Sequence, residues 1–441
     1  MLCRPPTLTL VCVTGCSEEC VRFSMSRDHV KQAELLNILT KSHEDPKKAK
    51  SVFVDDDSWS KDLIPCLSTL CLENIVQNFE DNPVLNQLKP HQQDYVLERL
   101  STSLPLHVTS KLIRDGVYWR RCCEHHWDIC DVTDYENSWK RMFFERRLEN
   151  LIEEFVPGVT DLHVILDMIP HSREYVRHLN ITQLRVSDDK TYLDHFDFNT
   201  MLHKLCLLEE LHVICNVRVC RMNFEWNMVE LSEQDGECLA KAAQHCKTLK
   251  VQRSGIRDQL CQLMCPYMYH HHSLRELDLC HNLISEDGAK ALSDLLIRSR
   301  LETLNICDNH IHDQGAKALA FALSKNSTLL NLNLRLNRVK DDGGEALSKA
   351  LLVNHTLQHL NLAANDVTGP TAVAMANALV ENKTIKIIIL SCNMLGPLDD
   401  SDMTDSPPPR CLFHICCSLH DNNHKSITSY LSLQKSTFLQ S

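Results

Sequence analysis

Basic residues are in the minority: Lys and Arg number 46 against 58 Asp and Glu in 441 residues, a formal net charge of −12. That balance provides no bulk positive field to hold nucleic acid or the acidic surface of a microtubule. Long apolar runs are missing too, since nothing approaches the roughly 18 consecutive apolar residues of a membrane span. The opening MLCRPPTLTLVCVTGC sets one basic residue before a short apolar stretch. Its n-region is weak and no A-x-A-like site follows, so it is not read as a secretory signal. The sequence also lacks G-x-x-x-x-G-K-[ST], G-x-S-x-G and H-E-x-x-H, which removes a P-loop ATPase module, a nucleophile elbow and a zinc-protease helix. The expectation is a chain that is not an enzyme, with no cofactor, no metal and no small-molecule substrate.

What is present is ordinary for a soluble core: 43% hydrophobic and 24% charged residues. The 22 cysteines are scattered, and Cys280, Cys307 and Cys392 fall where a leucine repeat takes a small buried residue. Free cysteine packs as a small hydrophobe, so they are read as reduced thiols in the cytosol and not as a disulfide framework.

The second half repeats itself. LRELDLCHN starts at Leu274, LETLNICDN at Leu301, LLNLNLRLN at Leu329, LQHLNLAAN at Leu357 and IKIIILSCN at Ile385, spaced 27, 28, 28 and 28 residues apart. Aliphatic residues hold the first, fourth and sixth positions of each unit, and Asn282, Asn309, Asn337, Asn365 and Asn393 hold the ninth. This is a leucine-rich repeat. The fourth and sixth residues share one face of a short strand and point into a core. The asparagine amide bonds the backbone of the turn that leaves the strand. Six residues further on, Gly288, Gly315 and Gly343 open helices with an Ala/Leu stripe, and Pro370 takes the first turn of the next one. Acids such as Asp341 and Asp342 are expected to complement the helix dipole. The fold class is therefore α/β, a curved solenoid of the ribonuclease-inhibitor-like subtype preceded by an α-helical domain. Single units are not expected to fold without neighbours.

The expected boundaries are a flexible leader over 1–54, a helical domain over 55–180, the solenoid over 181–396 with clear repeats at 274–396, and a disordered tail over 397–441. Upstream, LLEELHVICN reads as an earlier repeat, whereas LKVQRSGI after Leu249 lacks the L-x-x-L-x-L spacing, so that strand is expected to be short. After Gly396 the helix stripe fails, which leaves the last strand exposed. Sequons occur at Asn180, Asn326, Asn354 and Asn382. Three recur one repeat apart, which suits turn chemistry better than glycan attachment.

In the front half, YWRRCCEHHW and SWKRMFFERR make a basic, aromatic stretch. Trp119, Trp127, Trp139, Phe143 and Phe144 are read as core anchors and the Arg and Lys as solvated. CCEHHWDIC, with Cys122, Cys123, His125, His126 and Cys130, is too compressed for zinc and has no second pair at finger spacing. CQLMCPYMYHHH (261–272) and CLFHICC (411–417) are weaker still, the second being also a weak palmitoylation candidate.

On a curved solenoid the strand residues of alternate parity face a partner from the concave side. Here those are Glu276 and Asp278, Thr303 and Asn305, Asn331 and Asn333, His359 and Asn361, then Ile387 and Ile389, with Arg335 alongside. The expected protein-binding residues are Asp278, Asn305, Asn331, Asn333, Arg335, His359 and Asn361.

Several motifs lie outside the repeat pattern: SWKRMFFERRLENLIEEFVPG, MNFEWN (222–227), LSTLCLENIVQNF and LPLHVTSKLI. With LNLRLNRVKDDGGEAL they resemble the t-complex-associated testis-expressed 1 family, the subunit 5 family of the dynein regulatory complex, over residues 55–396. The resemblance implies a non-catalytic scaffold subunit of the nexin–dynein regulatory complex, which restrains dynein-driven sliding in motile cilia and sperm flagella. It implies other subunits of that complex and dynein arms as partners, no membrane and no nucleic acid, and a place in the cytoskeleton of the ciliary or flagellar axoneme. After Gly396 the family continues with further repeats and this chain departs from it. A looser resemblance is to F-box proteins, leucine-repeat substrate receptors of cullin ubiquitin ligases. A GTPase-activating role on the same repeat subtype would have Arg335 as its one obvious residue.

Overall fold

The structure, a computed structural model, describes residues 67–185, 195–215 and 230–395 together with three short strands. The opening residues 1–8, the charged run HEDPKKAKS, the insertion with MNFEWN and most of the tail lie outside the described residues. The chain forms two compact units, 1–74 and 75–441. In the first, β1 (Thr9–Leu10) pairs antiparallel with β2 (Val21–Arg22), and helix α1 (Leu67–Gln77) begins.

The second unit opens with helices α2 (Pro90–Leu97), α3 (Leu106–Leu112), α4 (Val117–His126), α5 (Trp139–Glu154) and α6 (His163–Ser172). Trp119 and Phe144 are fully enclosed and Phe143 is buried, so these three are core anchors as expected. Trp127 and Trp139 are only half-buried, with the guanidiniums of Arg146 and Arg120 standing 4.6 and 5.5 Å from their rings. The reading of the basic residues as solvated fails at two positions. Lys140 is buried, its Nζ donating to the Ser110 and Ile113 carbonyls at 2.6 and 2.8 Å. Arg141 is buried against Glu145 at 2.8 Å.

A parallel sheet follows: β3 (His178–Ile181), β4 (Glu210–Ile214), β5 (Thr248–Gln252), β6 (Glu276–Asp278), β7 (Thr303–Asn305), β8 (Asn331–Asn333), β9 (His359–Asn361) and β10 (Ile387–Ile389), each paired with the next in sequence. Helices α7 (Glu233–Ala242), α8 (Asp258–Met268), α9 (Glu286–Arg298), α10 (Asp313–Leu323), α11 (Asp341–Leu351) and α12 (Gly369–Glu381) connect the later strands and pack on one another in order. In the clear repeats the first, fourth and sixth residues are buried throughout, as in Leu329, Leu332 and Leu334. Each such side chain contributes roughly 1.5–3 kcal/mol, available only once a neighbour stacks against it.

The strand after Leu249 is complete, contrary to the expectation. Its register begins at Cys246, so the unit reads C-x-x-L-x-V-x-x-S, with Cys246, Leu249, Val251 and Ser254 all fully buried. Ser254 stands where later repeats have asparagine, and its hydroxyl accepts from Cys215 N at 3.0 Å. Val176, Leu179, Ile181 and Leu184 make an even earlier unit. Cys280 and Cys307 are buried as expected. Cys392 is exposed, because it holds the left-handed position before Asn393 (φ 60°). Nor is the outer edge of β10 left open, because β11 (Leu412–His414) pairs with it in parallel register.

Neither end of a helix or strand depends on its own repeat alone. The backbone N–H groups that start α9, α10, α11 and α12 are taken by an acid one repeat earlier. Ser285 N donates to Asp258 (2.7 Å), His312 N to Glu286 (3.0 Å), Lys340 N to Asp313 (2.9 Å) and Thr368 N to Asp341 (2.8 Å). Gly343 N also reaches Asp313 at 2.9 Å, and a Cβ there would sit 2.8 Å from Ala316 Cβ. The glycine is thus required by close helix approach. At the other end, β3 meets α5. Glu145 accepts from Arg177 N and His178 N (2.7 and 3.0 Å), Glu149 from Asn180 N (2.7 Å) and Glu153 from Thr182 N (2.7 Å). Three glutamates at i, i+4 and i+8 therefore close the sheet's first edge.

Candidate binding face

The outward strand residues fall into two columns by register. Glu276, Thr303, Asn331, His359 and Ile387 form one, and Asp278, Asn305, Asn333, Asn361 and Ile389 the other. The second column has a backbone task. A side-chain oxygen of Asp278, Asn305, Asn333 and Asn361 accepts the N–H two residues on, from Cys280 (2.9 Å), Cys307 (3.2 Å), Arg335 (3.1 Å) and Ala363 (3.0 Å). These local turns end each strand and fix which way each amide points.

Across β4 to β7 the face is internally bonded. His212 meets Gln252 at 3.2 Å, and Gln252 Nε2 donates to Asp278 at 2.9 Å. Asn305 Nδ2 donates to the same carboxylate oxygen at 2.8 Å. Lys250 pairs with Glu210, and Asn331 Nδ2 donates to Thr303 at 3.0 Å. Burial pulls His212 below the usual imidazole range, more than its bond to Gln252 raises it. Asp278, 6% exposed and bound by three donors, is the centre of this network. On β8 and β9 the picture changes. Asn333 and Asn361 keep their Nδ2 groups, His359 its ring, and Arg335 an exposed guanidinium, none with a side-chain partner among the described residues. His212, Lys250 and Gln252 are face residues that sequence reasoning missed, and the C-x-x-L-x-V-x-x-S register was the signal for the last two.

The other clusters are of a different kind. His195 Nδ1 lies 2.7 Å from Asp235 Oδ2, and its Nε2 lies 3.3 Å from Cys215 Sγ, the order of groups found in a thiol nucleophile site. All three are buried and the thiol is fully enclosed. Asp235 also accepts from Ser232 N at 2.9 Å and so caps α7. Burial lowers the imidazole, yet the Asp235 and Cys215 bonds outweigh it and hold His195 up at about 10. This is a core ion pair that ties the start of α7 to the end of β4. In CCEHHWDIC the two thiols of Cys122 and Cys123 are buried, which pushes them up to about 11 and about 12, while His125 and His126 face solvent. Among the described residues no three His, Cys, Asp or Glu side chains converge to hold a metal.

The sequence matches the family model described as Leucine Rich repeat at residues 270–293, 300–320, 325–348 and 353–376. The chain is 41% identical over 307 residues to Dynein regulatory complex subunit 5 of Macaca fascicularis, covering 64% of this chain and 61% of that protein. Identity to the Homo sapiens protein of the same name is 40% over 272 residues, 56% of this chain and 54% of that one. The Chlamydomonas reinhardtii protein, again of that name, is 32% identical over 190 residues, 42% and 46% of the respective chains. The chain thus spans about half to three-fifths of the length of these curated relatives. An alignment of 307 residues is longer than the stretch 181–396, so the match extends beyond the repeats. The chain is thus a leucine-rich-repeat protein homologous to the proteins named Dynein regulatory complex subunit 5.

Proposed function

We propose that the chain is a non-catalytic scaffold subunit of a dynein regulatory complex, seated on the axoneme of motile cilia or flagella. There it helps to restrain dynein-driven sliding through contacts with other subunits and with dynein arms. The observation that carries this reading is identity near 40% that extends beyond the repeats, since leucine repeats by themselves are shared by unrelated functions. The partner contact is assigned to the strand face, with Asn333, Arg335, His359 and Asn361 at its centre. Side chains there present hydrogen-bonding groups that have no side-chain partner among the described residues.

Tagged full-length protein in ciliated cells is expected to remain with salt-resistant axonemes. Complete release on detergent extraction would overturn the proposal. The cullin-ligase reading gains no support, because the relatives reported above all bear the dynein regulatory complex name. It would return only if a cullin adaptor co-purified with the full chain and was lost when residues 60–180 were altered.

A further inference from the structure

We infer that the β8–β9 patch recognises an acidic segment of a partner polypeptide, whose carboxylates accept hydrogen bonds from Arg335, Asn333 and Asn361. The inference rests on the strand face being the partner-binding surface and adds the chemistry of what it binds.

The argument is an accounting of donors. An asparagine offers one acceptor oxygen and two donor hydrogens. In Asn333 and Asn361 the oxygen already accepts one bond, from Arg335 N and Ala363 N, whereas both donor hydrogens have no partner among the described residues, so the donor end is the larger offer to a partner. One strand earlier, Asn305 has the same turn but directs its Nδ2 to Asp278, so its donor end is occupied. The switch from occupied to open falls between β7 and β8, where no carboxylate stands beside the column. Arg335, two residues after Asn333 and exposed, adds a guanidinium without an ion partner among the described residues. A guanidinium with two amide donors in adjacent strands forms an all-donor surface, and a carboxylate is its complement. Backbone carbonyls could meet the amides, but only an anion answers the charge.

Neighbouring strands refine the occupant. On the far side of β9 stand Ile387 and Ile389, which offer an apolar surface. Strands lie about 4.8 Å apart, so a carboxylate over β8 and an apolar side chain over β10 would be about 10 Å apart. In a partner with polyproline II geometry, which rises about 3.1 Å per residue and repeats every three residues, that is three residues with both side chains on one side. Toward β6 the face carries Glu276 and Asp278, which repel an acidic segment and so set its direction across the strands.

The test uses the full chain and synthetic peptides. One is an extended twelve-residue peptide with a Glu pair placed three residues from a Leu. The others replace both Glu by Gln or by Lys. Binding is read by fluorescence anisotropy across a salt series. The Glu peptide is expected to bind at least tenfold tighter than the Gln peptide, and its advantage should shrink as salt rises. The double variant Asn333→Asp/Asn361→Asp keeps both turn oxygens while removing the donors. It should lose that advantage, bind the Lys peptide more tightly than the parent does, and melt at the parent temperature. Arg335→Glu should act in the same direction. Equal binding of the Glu and Gln peptides, or an unchanged preference in the variants, overturns the inference. A benzophenone amino acid at position 336, an exposed leucine beside Arg335, supplies a second readout in ciliated cells. Crosslinks mapping to an Asp/Glu-rich segment support the inference, and crosslinks to a neutral or basic segment overturn it. The peptide arm needs no axoneme, so acid preference in a protein that washes out of axonemes would sink the functional reading and leave the chemistry standing.

Discussion

Asn337 divides its side chain between two repeats. Its Nδ2 donates to Leu334 O and Arg335 O in its own turn and to Ile306 O one repeat back, while its Oδ1 accepts from Ile311 N. Replacing it with Ala would leave several buried backbone groups without partners, at a cost of about 1–3 kcal/mol each where water cannot reach them. Asn337→Ala is therefore expected to lower the denaturation midpoint by several kcal/mol in stability terms, with Asn365→Ala behaving alike. Chemical denaturation checks both. The sequon asparagines form a second series: Asn354 Nδ2 donates to Leu323 O and Asn326 O at 2.8 and 3.0 Å, and Asn382 Nδ2 to Leu351 O and Asn354 O at 2.7 and 2.8 Å. A glycan on those nitrogens would break these bonds, so turn chemistry accounts for the recurrence. The ninth-position asparagines were legible because they recur beside three fixed aliphatics. The engagement of Asp278 by Gln252 and Asn305 was not, since cross-strand bonds between columns leave no mark on spacing within one strand. Parity alone placed Asp278 with the open donors, and only its neighbours show it to be occupied.

Helix α5 is the element where sequence and structure differ most. SWKRMFFERRLENLIEEF draws attention to its aromatic and basic residues, yet Glu145, Glu149 and Glu153 are what join it to β3. A row of acids on a helix reads as a solvated face unless a strand edge lies opposite. Burial raises Glu149 to about 8, above the lowering effect of its bond from Asn180 N. The folded chain holds that proton more tightly than the unfolded one. The associated stability is complete below the unfolded value of 4.5 and is lost as pH rises from there through about 8. Glu149→Gln keeps an oxygen for Asn180 N without the charge. The variant should match the parent in melting temperature near pH about 4 and melt higher than it at pH about 9, as thermal scans at both values would show. The helix starts carry a paired prediction. Asp341→Ala removes the acceptor for Thr368 N, Thr368 Oγ1 and Thr371 Oγ1, and should cost about 1 kcal/mol or more and speed amide exchange at the start of α12. Asp342→Ala removes an exposed pair with Lys317 and one first-turn charge, and should lower the melting temperature far less than Asp341→Ala. The two acids are adjacent and chemically identical, so only the position of the next helix distinguishes them.

For the whole molecule, the repeat class was legible from Leu274 to Asn393 because four positions recur together. The units at Val176 and Cys246 were not, because Leu184 and Ser254 occupy the marker position. Burial accepts such replacements: the core asks for an enclosed apolar residue at the first position and a hydrogen-bonding or apolar one at the ninth. The candidate site was half legible on the same physical grounds. Alternation identifies the outward columns, while the cross-strand bonding that closes one end and leaves the other open depends on three-dimensional neighbours.

The helix-start acids give the solenoid a direction. Asp258, Glu286, Asp313 and Asp341 each serve the repeat that follows, and Asn309, Asn337, Asn365 and Asn393 each reach the repeat that precedes. The acid contacts therefore run one way along the chain, whereas the asparagines tie both neighbours, each Oδ1 accepting an N–H of the repeat before it. A unit cut from the later end leaves its predecessor with a free carboxylate, open carbonyls and an N–H without its asparagine acceptor, but with its helix start intact. A unit cut from the earlier end strips its successor of the group that begins its helix and of one anchor for its asparagine. Such an array loses no helix start when it is shortened at its later end, whereas its first strand is held from outside, by the three glutamates of α5.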